Sequence, residues 1–314
     1  MYHRIAAPDF DPWGLCVSPE NFRDQLAALK SRRTILPMDD LVDALEAGSM
    51  PPRATALTFD DGYADNAEVA KPMLEAMRVP ATILLATAFI GSEVPFWWDE
   101  LAALVLASRD AADFYFEVGG VRLVGRWEAR NDVSPGLSSW RTFDDTNDPR
   151  RLGYRRLWRT LQGLDQPARD RAMAGLRHRL ARGTSAAGDG EGRPMSQAAA
   201  RSLRSAFVSL GGHGRNHVPL TALSAAARDE EIRGGMADVA GLCDGLRPSG
   251  FAYPHGDWDA ETRTIVSQSG YRWAVTTNAA RIDRQRYDLL ALPRIQVRDW
   301  DGTALLGAIG AAAL

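Results

Sequence analysis

The sequence predicts an α/β protein whose strands run parallel. A buried run ending at Phe59 precedes a helical pattern and a second apolar run, and this β-α-β order implies parallel pairing with a right-handed crossover. Polar residues follow several strands, which predicts a site at the C-terminal face of a parallel barrel or sheet. The predicted elements of this pattern are strands at 53–59, 80–86, 206–210 and 272–276 and helices at 65–77, 224–243 and 259–269.

Shorter elements flank this pattern. The segment from Tyr2 to Ile5 can form a strand, and the next helix has Ser18 as its cap and Pro19 in its first turn. Another helix starts at Asp39 and ends near Gly48. A C-terminal helix closes the chain, and we interpret residues 1–314 as one domain.

Residues 92–194 interrupt the alternation and are interpreted as an insertion within that domain. An apolar helix begins at Trp97, and Gly119-Gly120 between two alternating runs indicates a β-hairpin. Two arginine-rich helices are predicted over 149–182, followed by a glycine-rich stretch at 183–194. Because acidic residues are interspersed, the arginines are expected on a solvated face.

Composition excludes several functions. The chain has a net charge of -3, so nucleic acid is not an expected partner. No apolar run reaches the roughly 18 residues that a membrane span needs. Its two cysteines form no CxxC pair. Because Met1 to Ile5 carry no signal-peptide pattern, we expect a cytoplasmic location.

Three polar clusters carry the candidate chemistry. At Asp60-Asp61 one carboxylate can face a metal and the other a water, although Asp-Asp-Gly also suits a simple turn. The i,i+4 spacing of His213 and His217 would place both imidazoles on one side of a helical turn, as a zinc-like ion requires, but unrelated surface histidines show it too. The turn at 253–256 could aim a backbone N–H inward or only join a strand to a helix.

Taken together, these clusters resemble the polysaccharide deacetylases, also called the NodB-homology family or carbohydrate esterase family 4. The residues that carry the resemblance are Thr58-Phe59-Asp60-Asp61-Gly62-Tyr63, the His213 and His217 pair, and Phe251-Ala252-Tyr253-Pro254-His255-Gly256. Tyr2-His3 resembles the variant that begins with Tyr-His. The resemblance covers about 1–91 and 195–300. It implies a distorted (β/α)7 barrel and metal-dependent hydrolysis of a sugar N-acetyl group.

The resemblance also implies roles for individual residues. Asp61, His213 and His217 would hold one divalent metal, with Zn²⁺ as the default and Co²⁺, Ni²⁺ or Fe²⁺ as alternatives. Asp60 would be the general base, and the backbone N–H of His255 would bind the oxyanion.

The sequence departs from the family pattern at several positions. Gly214 stands where the family usually has Ser or Thr, and His255 where it usually has Tyr. Ala252 replaces the arginine that orients the catalytic Asp, and we expect Arg294 to supply that group from a neighbouring strand. The late Leu-x-His motif that supplies the acid is absent, so His3 is assigned as the acid that protonates the leaving amine.

Several aromatic residues are candidates for sugar binding. Adjacent helical residues point about 100° apart, so one of Trp97 and Trp98 is expected in the core and the other at the surface. The full set of candidate substrate-binding residues is Tyr63, Tyr253, Pro254, Trp258 and Trp98.

Asp65, which follows the first motif, is interpreted as a helix cap.

The predicted activity is removal of an N-acetyl group from an amino sugar in a cytoplasmic glycan-biosynthesis pathway. Candidate substrates are a nucleotide sugar, a lipid-linked glycan on the inner leaflet or a small glycoside. One alternative is an amino-sugar deformylase or another amide hydrolase on the same scaffold. The other is a glycan-binding protein without catalysis, which would not need the base Asp60.

Overall fold

The computed structural model describes residues 1–130, 136–180 and 192–312. Of the predicted glycine-rich stretch, only residues 192–194 lie within these ranges. The chain divides into two compact units: the first comprises 1–7, 15–93 and 194–314, and the second comprises 8–14 and 94–193.

The elements are numbered here in chain order. Up to residue 93 they are β1 (Arg4–Ile5), β2 (Cys16–Val17), α1 (Pro19–Arg32), β3 (Thr34–Ile35), α2 (Met38–Glu46), β4 (Ala54–Thr55), β5 (Thr58–Phe59), α3 (Lys71–Met77) and β6 (Ala81–Leu85). The second unit contributes α4 (Trp97–Ala102), β7 (Ala112–Val118), β8 (Val121–Trp127), α5 (Pro149–Gln162) and α6 (Gln166–Leu180). The remainder is α7 (Gln197–Leu203), β9 (Val208–Gly212), α8 (Ala225–Asp229), α9 (Gly235–Leu242), β10 (Gly250–Ala252), α10 (Ala260–Gln268), β11 (Trp273–Val275) and α11 (Gly302–Ala311).

A curled parallel sheet organises the first unit. Its strand order is β11-β10-β9-β6-β5, and every pairing is parallel, which confirms the predicted α/β class. Tyr2 extends the sheet beyond β5, and Leu292 extends it beyond β11. Main-chain hydrogen bonds from Met1 to Ile295 and from Val297 to Met1 join the two added segments. The strands therefore close into a distorted barrel.

Three predicted elements are interrupted. The strand expected over 53–59 is divided because the chain changes partners, with β4 pairing with β3 and β5 with β6. The helices expected over 65–77 and 224–243 each contain a turn of π-helix, at Asn66–Ala70 and Glu230–Gly234. Such turns displace the following side chains around the axis and occur often at functional sites.

The first π-helical turn holds the N-terminal segment. Asp65 does not cap a helix as expected, because its carboxylate instead accepts hydrogen bonds from Arg4 Nε and the Ile5 N–H, both at 3.1 Å. Asn66 Nδ2 donates to the His3 carbonyl oxygen at 2.7 Å. These contacts fix the backbone from His3 to Ile5.

The second unit contains the predicted hairpin and helices. Strands β7 and β8 pair antiparallel, and Gly119 and Gly120 both have positive φ (60° and 76°), as a tight two-residue turn requires. The expectation of a solvated arginine face is wrong at Arg150 and Arg169, which are buried. Their guanidinium groups donate to backbone carbonyl oxygens, including Asp110 O at 2.7 Å and Leu164 O at 2.9 Å respectively.

Gln25 provides a test of how the first unit is held together. It is fully buried on α1, accepts from Tyr2 Oη at 3.0 Å and donates to the carbonyl oxygens of Arg298 and Trp300. Gln25→Leu leaves the buried Tyr2 hydroxyl without its acceptor and removes one donor from each of the Arg298 and Trp300 carbonyl oxygens, so we expect the free energy of unfolding to fall by about 2 kcal/mol. Urea denaturation measures this. Arg23→Leu, on the exposed side of α1, should change it by less than about 0.5 kcal/mol, and an equally small effect of Gln25→Leu would contradict the assignment.

Candidate active site

Three strand ends bring the polar clusters together. Asp60 and Asp61 follow β5, His213 follows β9, and the turn at 253–256 follows β10. Because parallel strands end at the same edge of a sheet, residues distant in sequence meet there. Asp60, Asp61, His213 and His217 are all buried.

Asp61, His213 and His217 form a group with metal-ligand geometry. Asp61 Oδ1 lies 3.4 Å from His213 Nε2 and 3.3 Å from His217 Nε2, and one ligand atom from each of the three residues lies within 4.8 Å of the others. Ligand atoms about 2.0 Å from a tetrahedral zinc ion lie about 3.3 Å apart. Among the described residues, nothing makes a well-formed hydrogen bond to the buried Asp61 Oδ1. The donor set and spacing therefore fit a divalent metal.

The second nitrogen of His213 fixes the orientation of the first. Its Nδ1 lies 2.8 Å from the Ala252 carbonyl oxygen, which can only accept a hydrogen bond. The proton is thus on Nδ1, and the lone pair of Nε2 points toward Asp61. A backbone acceptor of this kind is the usual partner of a metal-binding histidine.

Backbone strain is concentrated at this site. Asp61, His217 and His255 have φ values of 76°, 47° and 58°, in the left-handed region that favours glycine. Each such residue costs about 1–3 kcal/mol and persists only where its surroundings determine it. The strained backbone turns these side chains toward one another, and the rings of His217 and His255 are 4.3 Å apart between centroids.

Asp60 is held by a two-pronged ion pair. Arg294 Nη1 and Nη2 donate to its two carboxylate oxygens, each at 2.7 Å, and both residues are buried. Arg294 also donates to Thr58 Oγ1 and the Thr276 carbonyl oxygen, both at 3.0 Å. Burial acts to raise the pKa of Asp60, but Arg294, with His213 and His3, outweighs it and holds the pKa below its usual value. Asp60 is therefore ionised at neutral pH.

His3 lies in the same electrostatic environment. Burial lowers the pKa of its imidazole, whereas the carboxylates of Asp61 and Asp60 oppose that effect. Burial prevails at His3, and its pKa lies below the ordinary value. At His213 burial also lowers the pKa, but Asp61 and Asp60 outweigh it, so the pKa of His213 lies above its ordinary value. The structure thus brings His3 close enough to interact with both carboxylates.

The loop between the two histidines is not helical, so the predicted helical turn is wrong. Gly214 has φ 70°, and the Glu231 carboxylate on the second π-helical turn binds the loop instead. Glu231 accepts from the N–H groups of Arg215 and Asn216 at 2.8 and 2.9 Å, and from Asn216 Nδ2 at 2.6 Å. The Glu231 carboxylate thus holds this loop, although Gly214 lacks the hydroxyl of the Ser or Thr that is usual at this position.

Sequence reasoning missed Glu231 and Asn66. Both lie in segments whose periodicity predicts uninterrupted helices, where a polar side chain is normally solvated. The unusual Gly214 was the one sequence signal that the loop needed another partner.

The candidate substrate-binding residues differ in how far they are exposed to solvent. Tyr63, Tyr253 and Pro254 are buried, and Tyr253 Oη donates to the Leu290 carbonyl oxygen at 2.9 Å. Trp258 is 37% exposed and stacks on Tyr253 with ring centroids 5.7 Å apart. Of this group, Trp258 offers the open ring surface.

The expectation that one of Trp97 and Trp98 is exposed is wrong. They are 6% and 4% exposed. Trp98 stacks on Phe96 within the second unit, with ring centroids 4.7 Å apart, and presents little surface to a sugar.

A known family model matches part of the chain. Residues 138–274 match the polysaccharide deacetylase family model; this range contains His213, His217 and the 253–256 turn but not Asp60 or Asp61. The resemblance is expected from the sequence motifs over about 1–91 and 195–300. The matched range instead begins inside the 92–194 insertion, at residue 138, and ends at residue 274. No curated relative matches the sequence.

Solved structures share the fold. A Streptococcus pyogenes deacetylase, PplD, in complex with acetate has a TM-score of 0.60 at 17% identity, covering 98% of this chain and 96% of that chain. A de-N-acetylase from Aggregatibacter actinomycetemcomitans has a TM-score of 0.53 at 13% identity over 98% of this chain and 97% of its own. IcaB from Ammonifex degensii has a TM-score of 0.53 at 15% identity over 98% and 94%.

The fold is therefore that of the NodB-type (β/α)-barrel deacetylases, as the sequence predicted. The predicted resemblance to the polysaccharide deacetylase family is confirmed, with the family model matching residues 138–274. This family implies hydrolase activity. None of the helices in the described ranges is both long and apolar enough to cross a membrane.

The buried ion pair between Arg294 and Asp60 is expected to contribute to the thermal stability of the protein. Arg294→Met leaves the buried Asp60 carboxylate without its counter-ion, and removing one partner of such a pair costs about 3–5 kcal/mol. We expect Arg294→Met to lower the thermal midpoint strongly and the double variant Arg294→Met, Asp60→Asn to recover part of the loss. Thermal denaturation of the four proteins gives the coupling. A double variant no more stable than the additive expectation would show that the two side chains do not interact.

Proposed function

We propose that this protein is a metal-dependent hydrolase that removes the N-acetyl group from an amino sugar of a glycan or glycan precursor. The observation that carries the proposal is the buried Asp61, His213 and His217 group beside an ionised Asp60. The match of residues 138–274 to the polysaccharide deacetylase family model supports the reaction type.

The three ligand residues and Asp60 have separate tasks in this proposal. Asp61, His213 and His217 would hold the ion, with Zn²⁺ as the default and Co²⁺, Ni²⁺ or Fe²⁺ as alternatives. When bound, a divalent ion polarises a carbonyl oxygen and acidifies water. Asp60 accepts the proton of the attacking water, and Arg294 keeps its carboxylate ionised and oriented until then.

Two further residues complete the proton and charge balance. Water adds to the acetyl carbonyl carbon, and the His255 backbone N–H donates to the oxygen that becomes negative. As the C–N bond breaks, His3 in its protonated form donates a proton to the leaving amine, Asp60 releases the proton it took from water, and the products are acetate and the free amino sugar. A His3→Ala enzyme with unchanged kcat would remove His3 from this scheme.

Trp258 is proposed to bind the sugar ring. Its side chain is half-exposed, follows the turn that carries His255 and is backed by Tyr253. An aromatic face supported from behind suits stacking against the apolar face of a pyranose.

The function is tested by product analysis with an Asp60 variant. Asp60→Asn keeps the side-chain shape but cannot take the proton, so we expect kcat to fall by about 10²–10⁴-fold. The substrates are N-acetylglucosamine oligosaccharides, nucleotide-linked N-acetyl sugars and lipid-linked N-acetyl glycans, assayed for released acetate with and without Zn²⁺ or Co²⁺. Asp9→Asn, an exposed aspartate, is the matched control and should retain full activity.

Other outcomes distinguish the alternatives. Formate release from N-formyl sugars without acetate release would favour a deformylase on the same scaffold. Saturable glycan binding with no amide cleavage under any metal condition would favour a binding protein and contradict the proposed hydrolysis.

Glu231→Gln tests whether the loop between the histidines is prepared for a metal. The neutral amide weakens the bonds to the Arg215 and Asn216 N–H groups, so we expect Zn²⁺ affinity to fall by about 10–100-fold. Competition with a chromogenic chelator measures this. Glu20→Gln, at an exposed position, is the control; equal affinity of the two variants would show that Glu231 does not position the ligands.

A further inference from the structure

A cavity separate from the metal-ligand group lies in the first unit. Its volume is about 380 Å³, within the range of small-molecule sites. Buried side chains of α2, the chain before β5 and the late segment form its walls, among them Leu41, Leu45, Leu57 and Leu292. The interior is therefore suited to an alkyl or other apolar group.

The charged residues of this cavity all have the same sign. Five arginines line it, and no aspartate or glutamate is found among its described lining residues. Arg294 is neutralised by Asp60. Within the described ranges, the other four guanidinium groups have no carboxylate within 4.0 Å. They belong to Arg33, which is half-buried, and to the exposed Arg53, Arg281 and Arg284.

The hydrogen bonds of these arginines go to neutral groups. Arg33 Nε donates to Thr55 Oγ1 at 2.9 Å, Arg281 Nε to the Ala312 carbonyl oxygen at 2.9 Å, and Arg284 to backbone oxygens near Met50. Burial lowers the pKa of Arg33, and the charges of Arg53 and Arg281 lower it further. Positive charges therefore face one another at the mouth of an apolar cavity, and an anion placed there would relieve their repulsion.

We propose that this cavity binds an anionic amphiphile with a single alkyl chain. The chain occupies the leucine-lined interior, and the carboxylate or phosphate head group lies among Arg33, Arg53 and Arg281. Apolar burial supplies affinity, and the arginines select for negative charge. This proposal does not rest on the proposed deacetylation, although Arg294 lines the cavity as well as binding Asp60, and it adds a second ligand to the protein.

Isothermal titration calorimetry of the full chain tests this proposal, with dodecanoate and dodecyl phosphate each kept below its micelle concentration. We expect one site per chain, with dodecanol bound at least about tenfold more weakly and inorganic phosphate not detectably bound. Comparison of the two anionic ligands identifies the preferred head group. Equal affinity for dodecanol would overturn the charge selection, and no binding of either anion would overturn the site.

Two kinds of variant locate the binding. Arg53→Gln, Arg281→Gln should weaken dodecanoate binding by about tenfold or more, while the control Arg23→Gln, Arg204→Gln, at exposed positions away from the cavity, should leave it unchanged. Ala56→Phe fills the interior and should abolish binding. Because Ala56→Phe can impair folding, the arginine pair provides the independent test. Unchanged affinity in the arginine pair would place binding elsewhere and contradict the proposal.

Discussion

The buried ion pair between Arg294 and Asp60 is the interaction on which the candidate site depends. It joins the end of β5 to a segment more than two hundred residues later in the chain, and both partners are removed from water. A carboxylate at that depth would otherwise favour its protonated form. Because the guanidinium also bonds to Thr58 and Thr276, it links both edges of the curled sheet while keeping Asp60 ionised.

The architecture and the clustering of the motifs could be predicted from sequence. Alternating strands and helices predict parallel pairing, and parallel strands place the residues after Phe59, Gly212 and Ala252 at one edge. The proximity of Asp61, His213 and His217 follows from that topology. The hypothesis that Arg294 stands in for the missing arginine at Ala252 is consistent with its contact to Asp60, and its catalytic role stays a prediction.

The supporting contacts could not be predicted, because they depend on local irregularities. Two π-helical turns interrupt patterns that look like continuous helices, and they carry Asn66 and Glu231 to the His3 segment and the histidine loop. Positive φ at His217 likewise replaces the helical turn that the i,i+4 spacing favours. The arginine-lined cavity gathers residues from four separate segments, so no sequence window contains its charge pattern.

Elemental mass spectrometry of chelator-treated and Zn²⁺-reloaded protein tests the metal site most directly. Ligation by Asp61, His213 and His217 predicts about one zinc ion per chain in the reloaded wild type and almost none in His213→Ala. His178→Ala, which removes an exposed histidine of the second unit, should retain the wild-type content. Equal zinc content in His213→Ala and wild type, or no zinc in the wild type after reloading, would contradict this site and the hydrolase that depends on it.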